Sequence, residues 1–238
     1  MTLPQGILDV GSVVLAVAVI VLVVLLSRRQ SRQREKTLEG LGFHRWKDVD
    51  ARFTEGVRSL VLHTHPERLE IQQAFWRTLT DMRLVLFDLV DKKRGGSNFR
   101  SSMMAIYKPG IDLPEFRLFP QNSEYDDGRQ AGAIKNDIDR LMEFASSKFG
   151  QKQIEFADQP EIARRFSISA ADEERVRWIL TPERLHRLLS LPAGTVLQVG
   201  SEMILVGRLR PVAKNMTWEQ ALRERVDLAN QAAQIILL

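Results

Sequence analysis

The chain has 238 residues, which is long for one domain and short for two. Hydrophobic residues make up 44% and charged residues 27%, so the chain is neither disordered nor buried in a membrane along its whole length. The absence of cysteine excludes disulfides, cysteine zinc sites, iron–sulfur clusters and thiol nucleophiles.

The first predicted element is a membrane-spanning helix at Ile7–Leu26, within a first domain at 1–27. No residue from Val10 to Leu26 is charged, and twenty helical residues span about 30 Å, the thickness of a bilayer's hydrocarbon core. Met1–Leu8 carries no Lys or Arg, which argues against a cleaved signal peptide and for a retained anchor.

Small residues on the predicted span favour close packing against another membrane helix. Gly11, Ser12 and Ala16 are such residues, and the four-residue spacing of Ser12 and Ala16 forms a small-xxx-small pair. Helices associate in lipid through close packing, since leaving lipid for another helix brings no hydrophobic gain. We therefore expect these three residues to contact an integral membrane partner.

A basic stalk at 28–42 follows the span and sets its orientation. No cation precedes the span, whereas five follow it closely: Arg28, Arg29, Arg32, Arg34 and Lys36. The positive-inside rule then places the N-terminus outside the cell (inner) membrane and 28–238 in the cytoplasm. Arg28, Arg29 and Arg32 are expected to contact anionic lipid headgroups, although the same cations also serve as a stop-transfer signal. Because the basic excess is confined to this stalk, no nucleic-acid partner is expected.

The remainder, 43–238, predicts a single α+β domain with a mainly antiparallel sheet and packed helices. Period-2 patterns predict a meander of about four strands at Ile71–Leu79, Arg83–Val90, Asn98–Tyr107 and Glu115–Phe119. Pro114 and Pro120 favour an edge position for the last of these. Alternation predicts that five side chains are buried on the sheet, namely Phe75, Leu84, Leu86, Phe116 and Leu118.

Helices and a second hairpin complete the predicted domain. Gln121–Gln130 is the best candidate for a mobile loop. Thr195–Val199 and Met203–Leu209 alternate as a hairpin, and Thr217 with Gln220 forms a capping box that opens the last helix. That helix carries one apolar face at helical spacing, made of Trp218, Leu222, Val226, Ala229, Ala233 and Ile236.

The chain ends in four apolar residues, Ile235, Ile236, Leu237 and Leu238. Helix termini normally fray, which would expose this apolar area to water. The last helix packs on its own sheet or, at this apolar end, on a partner subunit or the bilayer surface. We expect the four residues to contribute to partner contact.

Four short motifs follow the membrane span and the paired strands, namely Leu113–Phe116, Ile154–Phe156, Pro160-Glu161 and Arg165-Phe166. In this order the elements and motifs carry a resemblance to a group of uncharacterised bacterial single-pass membrane-anchored proteins with a cytoplasmic α+β domain. It covers most of 43–238 and implies a bacterial source and an α+β domain. It supplies no catalytic residue.

No motif in the chain predicts catalysis, a cofactor or a metal. His63 and His65 are a potential metal pair, but Pro66 argues for a loop and no third ligand is close in sequence. Lys92–Ser97 mixes cations with glycines but lacks the spacing of a phosphate loop and lies between two strands. We expect no catalytic residue, cofactor-binding residue or metal ligand.

Two functions remain open from the sequence. The leading hypothesis is a non-enzymatic accessory or scaffold subunit that stabilises a larger bacterial membrane protein complex through its anchor helix and cytoplasmic domain. The alternative is a membrane-tethered enzyme or small-ligand sensor whose site is assembled from scattered residues.

Overall fold

The computed structural model describes residues 29, 31–92, 99–121, 140, 142–209 and 216–238. Within these residues, none of the helices combines the length and apolar character that crossing a membrane requires. The predicted span Ile7–Leu26 lies outside them. A boundary between two compact units lies between His44 and Arg45.

The first unit contributes helix α1, at 31–40. The helix ends just before Gly42, which adopts a left-handed conformation with φ of 78°. Glycine tolerates that conformation without a Cβ clash, and the amide of Phe43 then donates back to the carbonyl of Leu38 at 2.9 Å.

The described part of the chain from His44 onward is α+β with a large, mainly antiparallel sheet, as predicted. Its helices are α2 Ala51–Leu60, α3 142–149, α4 Pro160–Arg165, α5 Glu173–Ile179, α6 Pro182–Leu188 and α7 Trp218–Ile236. A 3₁₀ turn lies at Pro66–Arg68. The strands are β1 His44–Trp46, β2 Leu69–Leu79, β3 Met82–Asp91, β4 Phe99–Tyr107, β5 Leu113–Pro120, β6 Lys152–Gln153, β7 Phe166–Ala170, β8 Thr195–Ser201 and β9 Met203–Arg208.

The strand order is β1-β2-β3-β4-β9-β8-β5-β7-β6. The β2–β3–β4 meander is confirmed. Across the sheet, every pair of neighbouring strands from β2 to β6 at the far edge is antiparallel. The prediction that β5 continues the meander is wrong, because the C-terminal hairpin β8–β9 stands between β4 and β5. The periodicity of a segment predicts a strand but not which other strand it pairs with.

The edge position predicted for β5 is also wrong, since β5 pairs with β8 on one side and β7 on the other. Its two prolines lie where the pairing with β8 is interrupted or has ended. Pro114 lies in the register shift between Leu113 and Phe116, and Pro120 is the last residue of the strand. Proline has no backbone N–H to donate to a neighbouring strand, and at these two positions its absence does not break a regular ladder.

The sheet has a hydrophobic core on both faces. One face carries Val85, Phe87 and Tyr107, which pack with Phe53 and Val57 of α2. Residues of opposite parity, such as Leu84 and Met104, lie on the other face, where α7 packs against β4 and β9. The predicted burial of Phe75, Leu84, Leu86, Phe116 and Leu118 is confirmed.

Candidate partner-binding surface

The sequence-predicted contact residues fall into three groups. Gly11, Ser12, Ala16 and Arg28 lie outside the described residues. Arg29 and Arg32 are both exposed. The third group is the C-terminal end of α7.

Helix α7 begins as predicted and packs on its own domain. The Thr217 side chain accepts from the amide of Gln220, and Gln220 Oε1 accepts from the amide of Thr217. The face formed by Leu222, Val226, Ala229, Ala233 and Ile236 is buried, whereas Trp218 is 42% exposed. Helix α6 adds a tie, since Arg187 Nη2 donates to the carbonyl of Gln234 at 2.9 Å.

This packing corrects the prediction for the last four residues. Ile235 and Ile236 are buried within the domain and are not a free contact surface. Leu237 is half-buried and Leu238 is 68% exposed. The apolar end therefore offers Leu238, with part of Leu237, rather than four side chains. The prediction assumed that the helix frays before its apolar end, but α7 continues to Ile236 and keeps Ile235 and Ile236 packed on the domain.

The most exposed large apolar side chain in the described part of the chain is Trp178, at 82%. It lies on α5, whose buried residues are Val176 and Ile179. Because each helical residue turns by about 100°, Trp178 lies about 200° around the helix from Val176 and faces away from the core. Sequence reasoning missed this residue although its helical phase carries the signal.

Helix α5 is held firmly on the domain. The Asp172 side chain caps its first turn by accepting from the amide of Arg175 at 3.1 Å. Arg175 also contacts Asp112 Oδ2 at 2.8 Å, and Arg177 donates to the carbonyl of Glu155 at 2.6 Å. At the other end, Arg184 of α6 donates to the carbonyl of Ile179 at 3.2 Å. Trp178 is thus displayed on an ordered helix.

A second residue missed from the sequence is Arg117, which is fully buried in β5. Its Nη1 lies 3.0 Å from Glu115 Oε1, and its Nη2 donates to the carbonyl of Leu60 at 3.3 Å. The guanidinium also stacks 4.2 Å from the ring centroid of Phe149 in α3. Alternation would point Arg117 towards solvent, but its face of the sheet is covered by these elements.

Burial lowers the pKa of the Arg117 guanidinium, and the Glu115 carboxylate opposes that shift. Ser169 and Gln151 are buried near Arg117. Ser169 donates to Gln151 Oε1 at 3.2 Å, and Gln151 donates to Glu115 Oε1 at 3.2 Å. This network joins β5, β7 and the segment after α3. It is a structural tie and contains no nucleophile–base pair.

The histidine pair has separate partners. His63 Nε2 lies 3.2 Å from Asp91 Oδ2, and His63 Nδ1 accepts from the amide of His65 at 3.1 Å. His65 Nδ1 instead lies 3.2 Å from Glu67 Oε1. In the described part of the chain, His, Asp and Glu nowhere form a group of three suited to hold a metal.

Comparisons with known proteins yield little. No family model matches the chain, and no curated protein matches it. The crystal structure of the mycobacterial trehalose monomycolate transport factor A is similar with a TM-score of 0.49 and 12% identity, over 87% of this chain and 93% of that chain. At this TM-score the likeness is remote and bears on neither the activity nor the partners of this chain.

Proposed function

We propose that the chain is a non-enzymatic, single-pass accessory or scaffold subunit of a larger bacterial membrane protein complex. In this proposal 1–27 forms the tail and membrane helix, 28–42 the basic stalk, and 43–238 the cytoplasmic α+β domain. The domain binds a partner protein in the complex, and the anchor helix packs against an integral membrane subunit.

The observation that carries the proposal is the exposure of Trp178 on an ordered helix. A tryptophan side chain carries about 150–250 Å² of surface, and tryptophan is enriched among residues that dominate binding energy at protein interfaces. Leaving it 82% exposed gives up that hydrophobic gain in the isolated chain. Burial against a partner recovers it.

The membrane-proximal contacts extend the same proposal. Ser12 and Ala16, with Gly11, allow close approach of a partner helix in the bilayer. Arg28, Arg29 and Arg32 contribute on the order of 1 kcal/mol each through anionic headgroups. Leu238, with the exposed part of Leu237, adds a small apolar contact at the other end of the chain.

Replacing Trp178 with alanine should weaken partner association by about 2 kcal/mol or more, which is roughly a thirtyfold rise in Kd. The domain should remain folded because the side chain makes little contact with the core. The measurement is the fraction of the chain that runs in its stoichiometric assembly after extraction in mild detergent, determined across a dilution series.

The matched control is Trp218→Ala, which removes the other exposed tryptophan from a different helix. The Trp218 variant should keep nearly the affinity of the unaltered chain. Loss of the assembly with Trp218→Ala alone, and not with Trp178→Ala, would show that the interface is elsewhere.

The proposed topology predicts that protease added to right-side-out cells leaves the domain at 43–238 intact. The reason is the imbalance of cations across Ile7–Leu26, which favours retaining the basic side in the cytoplasm. Immunoblotting of the domain before and after permeabilisation measures the outcome. Digestion in intact cells contradicts the orientation.

A further inference from the structure

A cleft of about 700 Å³ lies between α7 and the sheet, on the face opposite α2. It opens where β4 and β9 cease to pair. Their register ends at Met104↔Val206, although β4 begins at Phe99 and β9 continues to Arg208. On their outer sides the two strands remain paired with β3 and β8 over these residues. Helix α7 crosses the opening.

The floor of the cleft is apolar. Met104 and Val206 come from the two strands, and Leu228 comes from α7. All three are buried in the domain, and Met216 contributes a partly exposed thioether just before α7. Methionine is unbranched and polarizable, so it adapts its shape to irregular apolar ligands.

The rim of the cleft is polar but electrically balanced. Arg208 lies 3.5 Å from Glu224 Oε2, and Arg225 donates to the carbonyl of Ser102 at 3.2 Å. Asp227 supplies a second carboxylate, so the lining holds two guanidinium groups and two carboxylates. A rim without net charge favours neither an anion nor a cation.

We propose that this cleft binds a neutral, mostly apolar small molecule that carries a hydrogen-bonding group. The volume falls within the range of about 300–1,000 Å³ that is typical of ligand pockets, and an apolar floor with a few polar rim groups is their usual composition. The apolar body occupies the floor, and its polar group bonds to the rim at Ser102 or Gln231. The cleft does not contain Trp178, so this site is independent of the proposed partner surface.

The test uses the full chain in lipid nanodiscs with ¹³C-labelled methionine methyl groups and 2-naphthol, a neutral aromatic alcohol, as the probe. The methyl signals of Met104 and Met216 should shift and saturate with one common Kd. Those of Met82 and Met203, which are buried elsewhere, should not move. 2-Naphthoate, its anionic counterpart, should bind at least about tenfold more weakly.

Ala221→Trp supplies the blocking variant, because Ala221 is half-buried at the cleft and a large side chain there fills the volume. It should raise the Kd for 2-naphthol at least about tenfold, and unchanged Met82 and Met203 signals show that the fold is intact. Non-saturating shifts, shifts of all methionines together, equal binding of 2-naphthoate, or an unaffected Ala221→Trp variant would each overturn the proposal.

Discussion

Replacing Phe53 with alanine is expected to lower the free energy of unfolding by about 3–5 kcal/mol. Phe53 is fully buried on α2, and its ring centroid lies 5.2 Å from that of Trp46, 5.4 Å from that of Phe87 and 5.3 Å from that of Tyr107. Truncation removes edge-to-face contacts with Phe87 and Tyr107 and leaves a cavity between helix and sheet.

Denaturation of the detergent-solubilised chain, followed by tryptophan fluorescence, measures this loss. The control is Arg52→Ala on the same helix, where the side chain is 74% exposed and its ion pair with Glu202 spans 3.9 Å. That variant should stay within about 0.5 kcal/mol of the unaltered chain. A Phe53 effect as small as the control's would mean that α2 does not pack on this face.

The second large effect is expected for Leu86→Ala, at about 2–5 kcal/mol. Leu86 is 1% exposed in β3, and its cross-strand neighbours are Phe75 on β2 and Met104 on β4. It lies on the face opposite Phe53, so its truncation opens a cavity in the other half of the core.

The shift in the urea midpoint, at an unchanged denaturant slope, measures the Leu86 effect. The control is Thr78→Ala, at an exposed residue of β2. If the Leu86 variant loses less than about 0.5 kcal/mol, the register of β3 is wrong. The Phe53 and Leu86 variants together test both faces of the sheet.

Local structure was predictable from the sequence where one local signal determined it. The capping box at Thr217 and the strand-like run Arg83–Val90 are local signals, and both were confirmed. The position of β5 was not predictable, because the selection of β8 as its neighbour depends on a hairpin some 80 residues later in the chain. Proline was a misleading guide there, because an irregular register accommodated it inside the sheet.

Burial on both faces of the sheet explains what sequence reasoning missed at the candidate site. Alternation assumes one solvated face, so it predicted nothing for Arg117, which is buried on the α2 face of the sheet, beside Glu115 and Phe149. Trp178 was hidden for a different reason, since apolar residues are normally assigned to a core. Trp178 points to a different side of helix α5 from the buried residues Val176 and Ile179, and this helical position distinguishes it from a core residue.

The central claim, that the chain is a subunit of a larger membrane complex, is tested most directly by its mass after mild detergent extraction. Size-exclusion chromatography with light scattering, followed by quantification of each polypeptide, gives the stoichiometry. The proposal predicts one discrete assembly that contains this chain and other polypeptides in fixed ratio. A monomer or a simple homo-oligomer would contradict it and favour the tethered enzyme or ligand sensor.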